Sequence, residues 1–302
     1  MTRYFQILVS ENMPSNLPAN TLIINEFSKI QNLLGQEFET ILFDARKGIH
    51  LEALAIAAGT LKMNGALIIL LSNWEKLHSQ IDEDSLRWSG SIEAIATPRF
   101  MTYFKHCIHK YGFPILYHQN DLKFGRTSPQ LFVNHNATLD QQKIIEQISQ
   151  KEFELYFLTA KRGRGKSALA GLLANQLDTK IYLTAPNKSA VKILAEFSQK
   201  EIIFIAPDEL FLTLQNDPSF SENAWLFVDE AAMLPIAQLS AFSHHFKYIL
   251  FTTTIHSYEG TGRGFELKFK QKINRTFSDF ELIEPLRWSK DDALEAFIDE
   301  LL

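Results

Sequence analysis

The sequence predicts an α/β protein with parallel sheets, and three observations support this class. Short apolar runs typical of buried strands alternate with amphipathic segments typical of helices along the chain. Apolar residues make up 46% and charged residues 22%, which are ordinary values for a globular protein. The 302 residues are enough for two domains that each bury a core. The net charge of −5 excludes an overall basic field, so nucleic-acid contact would require a local patch.

The first part of the chain predicts a Rossmann-like α/β domain over residues 1–122. Its predicted strands are Tyr4–Val9, Thr21–Asn25, Thr40–Phe43, Ala66–Leu71 and Pro114–Tyr117. Leu51–Met63 and Phe100–Tyr111 have the apolar spacing of helices. Residues 123–137 are polar and contain Gly125 and Pro129, so we expect them to form a linker.

Residues 138–302 predict a second α/β domain, which starts with a helix in "ATLDQQKIIEQISQ". The other predicted helices are Lys166–Leu177 and Ser189–Ser198. The predicted strands are Glu154–Thr159, Lys180–Thr184, Ile202–Ile205, Trp225–Val228 and Tyr248–Thr253. Strands that alternate with helices again indicate a parallel sheet.

The stretch "FLTAKRGRGKSALAGLLA" resembles a phosphate-binding loop with one substitution. The pattern requires Gly, four residues, then Gly-Lys-Ser/Thr; Gly165, Lys166 and Ser167 fit it, but Ala160 replaces the first glycine. An apolar strand precedes the loop and a helix follows, as phosphate binding by helical N–H groups requires. Lys166 would contact the β- and γ-phosphates and Ser167 would bind Mg²⁺. The alternative is a glycine-rich helix start without a ligand.

The stretch "AWLFVDEAAMLP" supplies the acids that such a site needs after a second strand. Asp229 would hold Mg²⁺, and Glu230 would orient and deprotonate the attacking water. The tandem of two acids favours an ATPase over a small-molecule kinase. The alternative is that both acids only cap a helix.

Gln141 has two interpretations that the residues alone do not separate. "TLDQ" fits a capping box, in which Gln141 bonds back to Thr138. A glutamine about two dozen residues before the loop lysine is also where many helicase-like ATPases contact adenine. Its carboxamide suits the adenine N6 and N7 atoms.

The stretch "TTTIHSYEGTGRGFELKFKQK" combines polar strand residues, glycines and cations. Thr252, Thr253 and Thr254 end a strand where a γ-phosphate sensor would lie. The flexible loop that follows contains Gly260, Gly262, Arg263 and Gly264, and the basic patch after it contains Phe265, Lys268, Phe269, Lys270, Lys272 and Arg275. The patch either contacts RNA phosphates and bases or is an ordinary solvated face.

With these motifs, the chain closely resembles the N-terminal part of the bacterial tRNA(Met) cytidine acetyltransferase family. The matching stretches include "FDARKGIHLEALAIAAGTL", "DSLRWS", "IATPRF", "TAKRGRGKSALAGLL", "IAPDEL", "VDEAAMLP" and "EPLRW". They occur in order over nearly all of the chain. The family makes N4-acetylcytidine at the anticodon wobble position, and the resemblance implies a RecA-like, helicase-like ATPase domain here.

The resemblance also implies the ligands and their contacts. ATP (or GTP) with Mg²⁺ is the implied cofactor, and the resemblance shifts the interpretation of Gln141 toward adenine recognition. The implied contacts besides Gln141 are Gly163, Arg164, Gly165, Lys166, Ser167, Ala168, Leu169, Ala170, Gly171, Leu172 and Arg287.

The expected activity is ATP hydrolysis coupled to remodelling of elongator tRNA(Met). The family continues beyond "EPLRW" with an acetyl-CoA-dependent domain, so we expect no acetyl transfer by these 302 residues alone and, as one option, a separate acetyltransferase chain. A non-hydrolysing scaffold that binds RNA or a partner is the alternative. No apolar run approaches the roughly 20 residues that cross a bilayer, so we expect a cytoplasmic protein without a membrane partner.

Overall fold

The computed structural model describes residues 3–28, 30–33, 36–125, 136–161, 163–186, 188–254, 268–286 and 288–302. The chain divides into two compact units. The first consists of Met1–Leu131 together with Arg287–Leu302, and the second of Phe132–Leu286. Both are α/β units with parallel sheets, so the predicted fold class is confirmed.

The first unit is built on a five-stranded parallel sheet. Its strands are β1 (Tyr4–Val9), β2 (Leu22–Ile24), β3 (Phe38–Asp44), β4 (Leu61–Leu71) and β7 (Ile115–Leu116), in the order β2-β3-β4-β1-β7. Ile7 in β1 pairs with Ile69 of β4 on one side and with Ile115 of β7 on the other. A short antiparallel pair, β5 (Ile81–Asp82) and β6 (Ile95–Ala96), lies outside this sheet.

Three helices belong to the first unit: α1 (Leu51–Thr60), α2 (Pro98–Lys110) and α8 (Ala293–Leu301). The predicted extension of α1 to Met63 is wrong, because the chain passes directly into β4 at Leu61. Leu61 is buried and Lys62 is exposed, which is the alternation of a strand and not the spacing of a helix.

The C-terminal helix α8 packs within the first unit. Phe297 lies in an aromatic cluster, and the guanidinium of Arg3 forms a buried ion pair of 2.6 Å with Asp292. The rings around Phe297 are Phe5, Phe104, Tyr111 and Phe113. The sequence-based boundary assigns residues 138–302 to a single domain, whereas the structure groups residues 287–302 with the first unit. The sequence did not indicate this, because the residues that contact α8 are distant from it along the chain.

The second unit is built on a six-stranded parallel sheet. Its strands are β8 (Leu155–Ala160), β9 (Lys180–Thr184), β10 (Ile203–Phe204), β11 (Ala224–Val228), β12 (Tyr248–Thr254) and β13 (Phe277–Leu282), in the order β10-β9-β11-β12-β8-β13. Trp225, Leu226 and Phe227 in β11 are buried, as both faces of a central parallel strand require. Of these six strands, β13 has no counterpart among the predicted strands, and the other five do.

Helices cover both faces of this sheet. α3 (Leu139–Ser149), α4 (Lys166–Gln176) and α5 (Ser189–Phe197) pack on one face, where Ile148, Leu169 and Leu194 are buried. α6 (Pro207–Asn216) and α7 (Ile236–His245) pack on the other, through side chains that include Leu210 and Phe242. None of the helices in the described part of the chain is long and apolar enough to traverse a bilayer.

Candidate nucleotide site

The order of the strands brings the predicted motifs together at one edge of the second sheet. β8, β12 and β11 are neighbours and run parallel, so their carboxyl ends lie side by side. The glycine-rich loop follows β8, Asp229 and Glu230 follow β11, and Thr254 ends β12. Ligands of open α/β sheets bind at this edge.

The loop is shaped by two glycines in the left-handed region. Gly163 has φ 73° and Gly165 has φ 82°, which other residues adopt only with strain. A Cβ at Gly165 would lie 2.5 Å from Cδ1 of Leu286 and 2.8 Å from Nε2 of Gln141. Ala160 instead ends β8 in strand conformation, so the substituted position of the motif needs no glycine.

The ammonium of Lys166 lies in a polar chain at the start of α4. Its Nζ donates to Oγ1 of Thr254 at 2.7 Å and lies 3.9 Å from Oε1 of Glu230. The Thr254 hydroxyl in turn donates to Oε1 of Glu230 at 2.6 Å, and the Thr254 N–H donates to Oε2 at 3.2 Å. The structure thus joins the predicted phosphate lysine and the predicted hydrolytic acid through one threonine.

Asp229 is buried beside Glu230. Burial raises the pKa of its carboxyl, and the charge of Glu230 raises it further, whereas Lys166 and the Thr252 hydrogen bond act against this rise. Oδ1 of Asp229 accepts from the Thr252 hydroxyl and from the Glu230 N–H. A buried carboxylate of this kind gains from a bound cation.

Glu230 has φ 49° and ψ 47°, a left-handed conformation that is uncommon for a residue with a side chain. The turn ends β11 and directs the chain into a short 3-10 helix from Ala231 to Met233. Strain of this type costs about 1–3 kcal/mol and concentrates at functional sites.

The donor atoms at this edge suit Mg²⁺, which prefers oxygen ligands. Oδ2 of Asp229 and the hydroxyl of Ser167, in the first turn of α4, have no hydrogen-bond partner among the residues that the structure describes. No group of three His, Cys, Asp or Glu side chains within the described ranges could hold a metal by itself. One or two carboxylates with substrate phosphates are the usual Mg²⁺ ligands.

Gln141 forms the capping box at the start of α3. Its Oε1 accepts from the Thr138 N–H at 2.9 Å, and its own N–H donates to the Thr138 hydroxyl at 3.2 Å. Its Nε2 also donates to the carbonyl of Gly165 at 3.1 Å. One amide hydrogen and one lone pair are left for a ligand, and adenine recognition stays a prediction.

A segment after β13, residues 283–286, contacts the predicted phosphate loop. Nε of Arg164 donates to the carbonyl of Ile283 at 2.9 Å, and the Leu286 N–H donates to the carbonyl of Gly163 at 2.9 Å. In this stretch the sequence indicates only Arg287 as a nucleotide contact, and Arg287 lies outside the described residues. The contact of Leu286 with the loop was missed, because no local pattern indicates it.

The predicted contacts farther along α4 have packing roles in the structure. The side chains of Leu169 and Ala170 are in the core, and Leu172 packs against it. A Cβ at Gly171 would lie 2.5 Å from the Leu194 carbonyl, so glycine allows α4 and α5 to approach. Ala168 is also buried. Nucleotide contact at these positions stays a prediction.

The basic patch is largely committed to internal contacts. Phe269 is fully buried in the core, and Lys270 pairs with Asp279. Arg275 pairs with Glu154 at 2.9 Å and also donates to backbone carbonyls. Lys268 and Lys272 are exposed. Phe265 of the patch lies outside the described residues, as does the predicted flexible loop with Gly260, Gly262, Arg263 and Gly264.

Two family models match this chain in succession. The family described as "tRNA(Met) cytidine acetyltransferase TmcA, N-terminal" matches residues 6–119. The family described as "RNA cytidine acetyltransferase NAT10/TcmA, helicase domain" matches residues 157–302. Among solved structures, the UvsW helicase from Bacteriophage T4 aligns with a TM-score of 0.33 and 11% identity, over 66% of this chain and 86% of that chain.

The sequence relatives are tRNA(Met) cytidine acetyltransferases named TmcA. The protein from Haemophilus influenzae is 60% identical over 100% of this chain and 46% of its own length. The protein from Actinobacillus pleuropneumoniae is 40% identical over 91% of this chain and 47% of its own length. The chain thus spans about half the length of these relatives. It belongs to the tRNA(Met) cytidine acetyltransferase family, and it corresponds to the N-terminal and helicase regions of that family's members.

Proposed function

We propose that the second unit binds ATP with Mg²⁺ and hydrolyses the bond between its β- and γ-phosphates. GTP is the second candidate nucleotide. The observation that carries the proposal is the chain from Lys166 through Thr254 to Glu230. A phosphate-binding lysine and a carboxylate that can orient water lie at the same edge of a parallel sheet. This is the arrangement that phosphoryl transfer to water requires.

The residues have separate roles in this proposal. The N–H groups at the start of α4 and the ammonium of Lys166 neutralise charge on the phosphates. Ser167 and Asp229 would hold Mg²⁺, which supplies further charge neutralisation when bound. Glu230 orients the attacking water and accepts its proton. We assign Gln141 to adenine and Arg287 to a phosphate oxygen, where a guanidinium can form paired hydrogen bonds.

We further propose that hydrolysis is coupled to remodelling of tRNA for N4-acetylcytidine formation. The printed names of the relatives, which are tRNA(Met) cytidine acetyltransferases, support this coupling. Elongator tRNA(Met) is the proposed RNA partner. The acetyl group would come from an acetyltransferase domain or a separate chain, and the activity would take place in the cytoplasm.

Steady-state ATP hydrolysis, measured with and without tRNA(Met), tests the proposal. We expect the wild type to hydrolyse ATP in a Mg²⁺-dependent reaction whose rate differs with and without tRNA(Met). We expect Lys166→Ala to abolish both this hydrolysis and the rise in melting temperature that ATP causes. Retained ATP stabilisation without turnover in the wild type would favour the non-hydrolysing scaffold. If ATP raises the melting temperature of Lys166→Ala as much as that of the wild type, Lys166 does not bind the nucleotide.

A further inference from the structure

The first unit contains a cavity of about 660 Å³ that the ATPase site does not use. Three segments line it: residues 49–51 at the start of α1, residues 82–88 after β5, and residues 96–100 at the start of α2. The latter two include parts of the stretches "DSLRWS" and "IATPRF". Its volume is within the range of small-molecule and cofactor sites.

Asp82 joins the wall of residues 82–88 to the wall of residues 96–100. Its buried carboxylate accepts from the Thr97 hydroxyl at 3.0 Å and from the Asp84 N–H at 3.1 Å. A Cβ at Gly48 would lie 2.3 Å from Oδ1 of Asp82, so only glycine allows this approach. The hydrogen bonds of this buried carboxylate thus hold two walls of the cavity in place, and small-molecule sites are usually largely pre-formed.

The cavity is lined mainly by apolar and aromatic groups. Ile49, Leu51 and Phe100 contribute to it, and Trp88 lines it with 55% of its surface exposed. The chain has four tryptophans, and the three others are at most 6% exposed. A large exposed indole at the wall of a cavity offers a stacking surface for a flat ring.

Arg99 is the cation of the cavity lining that has no acidic partner among the described residues. Asp82 is occupied by its hydrogen bonds, and Asp84 forms two hydrogen bonds of 3.1 Å with the guanidinium of Arg87. Arg99 is exposed and has no hydrogen bond or ion pair with any residue in the described ranges. A cation and a stacking surface in the lining of one cavity suit a ligand that is both aromatic and anionic.

We propose that this cavity binds one nucleoside monophosphate unit, with its base stacked on Trp88 and its phosphate paired with Arg99. Such a unit has two sources: a free mononucleotide, or an unstacked nucleotide of a single-stranded RNA. Stacking of a base on an aromatic side chain contributes to both kinds of binding. The site is separate from the phosphate loop, and it does not depend on ATP hydrolysis.

Tryptophan fluorescence of the full chain tests this site, because Trp88 is the exposed indole. The probes are CMP, UMP, AMP and GMP, a short single-stranded oligoribonucleotide, and ribose 5-phosphate as the ligand without a base. We expect saturable quenching by nucleotides and none by ribose 5-phosphate. The quenching should persist in Lys166→Ala, which separates this site from the phosphate loop.

Calorimetric titration of variants then assigns the contacts. Trp88→Ala and Arg99→Gln should each weaken binding about tenfold or more. Ile92→Ala, at a position 98% exposed and outside the cavity lining, and Lys76→Gln, at an exposed cation, are the matched controls and should bind like the wild type. Tenfold tighter binding of the oligoribonucleotide than of any mononucleotide would identify RNA as the source, and equal binding would identify the free nucleotide.

Two results would overturn the proposal. One is the absence of saturable quenching and of calorimetric binding for every nucleotide and for the oligoribonucleotide up to about 10 mM, where even weak sites fill. The other is wild-type affinity in both Trp88→Ala and Arg99→Gln.

Discussion

At the scale of single residues, Thr254 connects two charged groups of the proposed nucleotide site, Lys166 and Glu230. Its hydroxyl accepts from Lys166 at 2.7 Å and donates to Glu230 at 2.6 Å. If a phosphate oxygen replaces the hydroxyl as the acceptor for Lys166, Thr254 can still orient the Glu230 carboxylate. Thr254 would then be a positioning residue for the proposed hydrolysis.

We expect Thr254→Val to slow ATP hydrolysis about tenfold or more, because the substitution removes a hydrogen bond to a charged group, typically about 1.5–3 kcal/mol. Steady-state kinetics should show the loss mainly in kcat, since the loop and α4 are unchanged. Thr253→Val is the matched control: its hydroxyl is buried and has no hydrogen-bond partner among the described residues, and its side chain lies on the other side of the same strand. Equal kcat values for Thr254→Val and Thr253→Val would contradict the positioning role.

Glu230 is the proposed general base, so its substitution should slow ATP hydrolysis without weakening ATP binding. Glu230→Gln keeps the size of the side chain but lowers its basicity, and we expect hydrolysis about 100-fold slower or more with ATP affinity near that of the wild type. Single-turnover hydrolysis and equilibrium ATP binding measure the two effects. An unchanged turnover number would assign general-base catalysis to another group.

At the scale of secondary-structure elements, the turn from β8 into α4 depends on Gly165 for two reasons. Its φ of 82° is left-handed, and a Cβ would clash with Leu286 and Gln141. Gly112 shares only the left-handed conformation: its φ is 66°, but a Cβ there would contact no described atom within 4 Å.

We therefore expect Gly165→Ala to lower the free energy of unfolding by more than Gly112→Ala. The backbone penalty alone is about 1–2 kcal/mol, and Gly165→Ala adds the displacement of two neighbours. Urea unfolding measures both variants, and only Gly165→Ala should also weaken ATP binding. If the two variants lose equal stability and both bind ATP normally, the packing around the loop is not essential.

The sequence predicts those elements whose pattern is local. The strands Tyr4–Val9 and Lys180–Thr184 match the structure residue for residue, because each is a short apolar run between polar residues. β13 was missed because "FSDFEL" lies at the sheet edge with partly exposed side chains. In the site, Lys166 and Asp229 are recognisable from spacing, whereas the contacts of Leu286 and Gln141 with the loop join segments that are distant in sequence.

At the scale of the whole molecule, the first unit is formed by both ends of the chain. The N-terminal strand β1 supplies Phe5, and the C-terminal helix α8 supplies Phe297, whose ring centroids are 5.0 Å apart. Arg3 and Asp292 form a buried ion pair beside them. Removal of one partner of such a pair leaves an uncompensated buried charge, so the two ends are coupled in stability.

Glu300 adds a pH-dependent contact to the same helix. Its carboxylate accepts from Nζ of Lys110 at 2.7 and 2.8 Å and from the Tyr111 hydroxyl at 2.7 Å. The Lys110 hydrogen bond lowers the pKa of Glu300 from 4.5, and the carboxylate raises the pKa of Tyr111 to about 12. A lowered pKa means that the ionised form is favoured in the folded state.

The contribution of Glu300 to stability is therefore present above pH 4.5 and is lost as the pH falls through the lowered pKa of the folded state. We expect Glu300→Gln to lower the melting temperature at neutral pH, and we expect the difference from the wild type to shrink below pH 4.5. High salt should also reduce this difference in melting temperature, because the ion pair of Lys110 and Glu300 is exposed to solvent. Glu93→Gln, at an exposed carboxylate elsewhere in the unit, should leave the melting temperature unchanged throughout. A difference between Glu300→Gln and the wild type that does not vary with pH would mean that shape, and not charge, accounts for the contribution of Glu300.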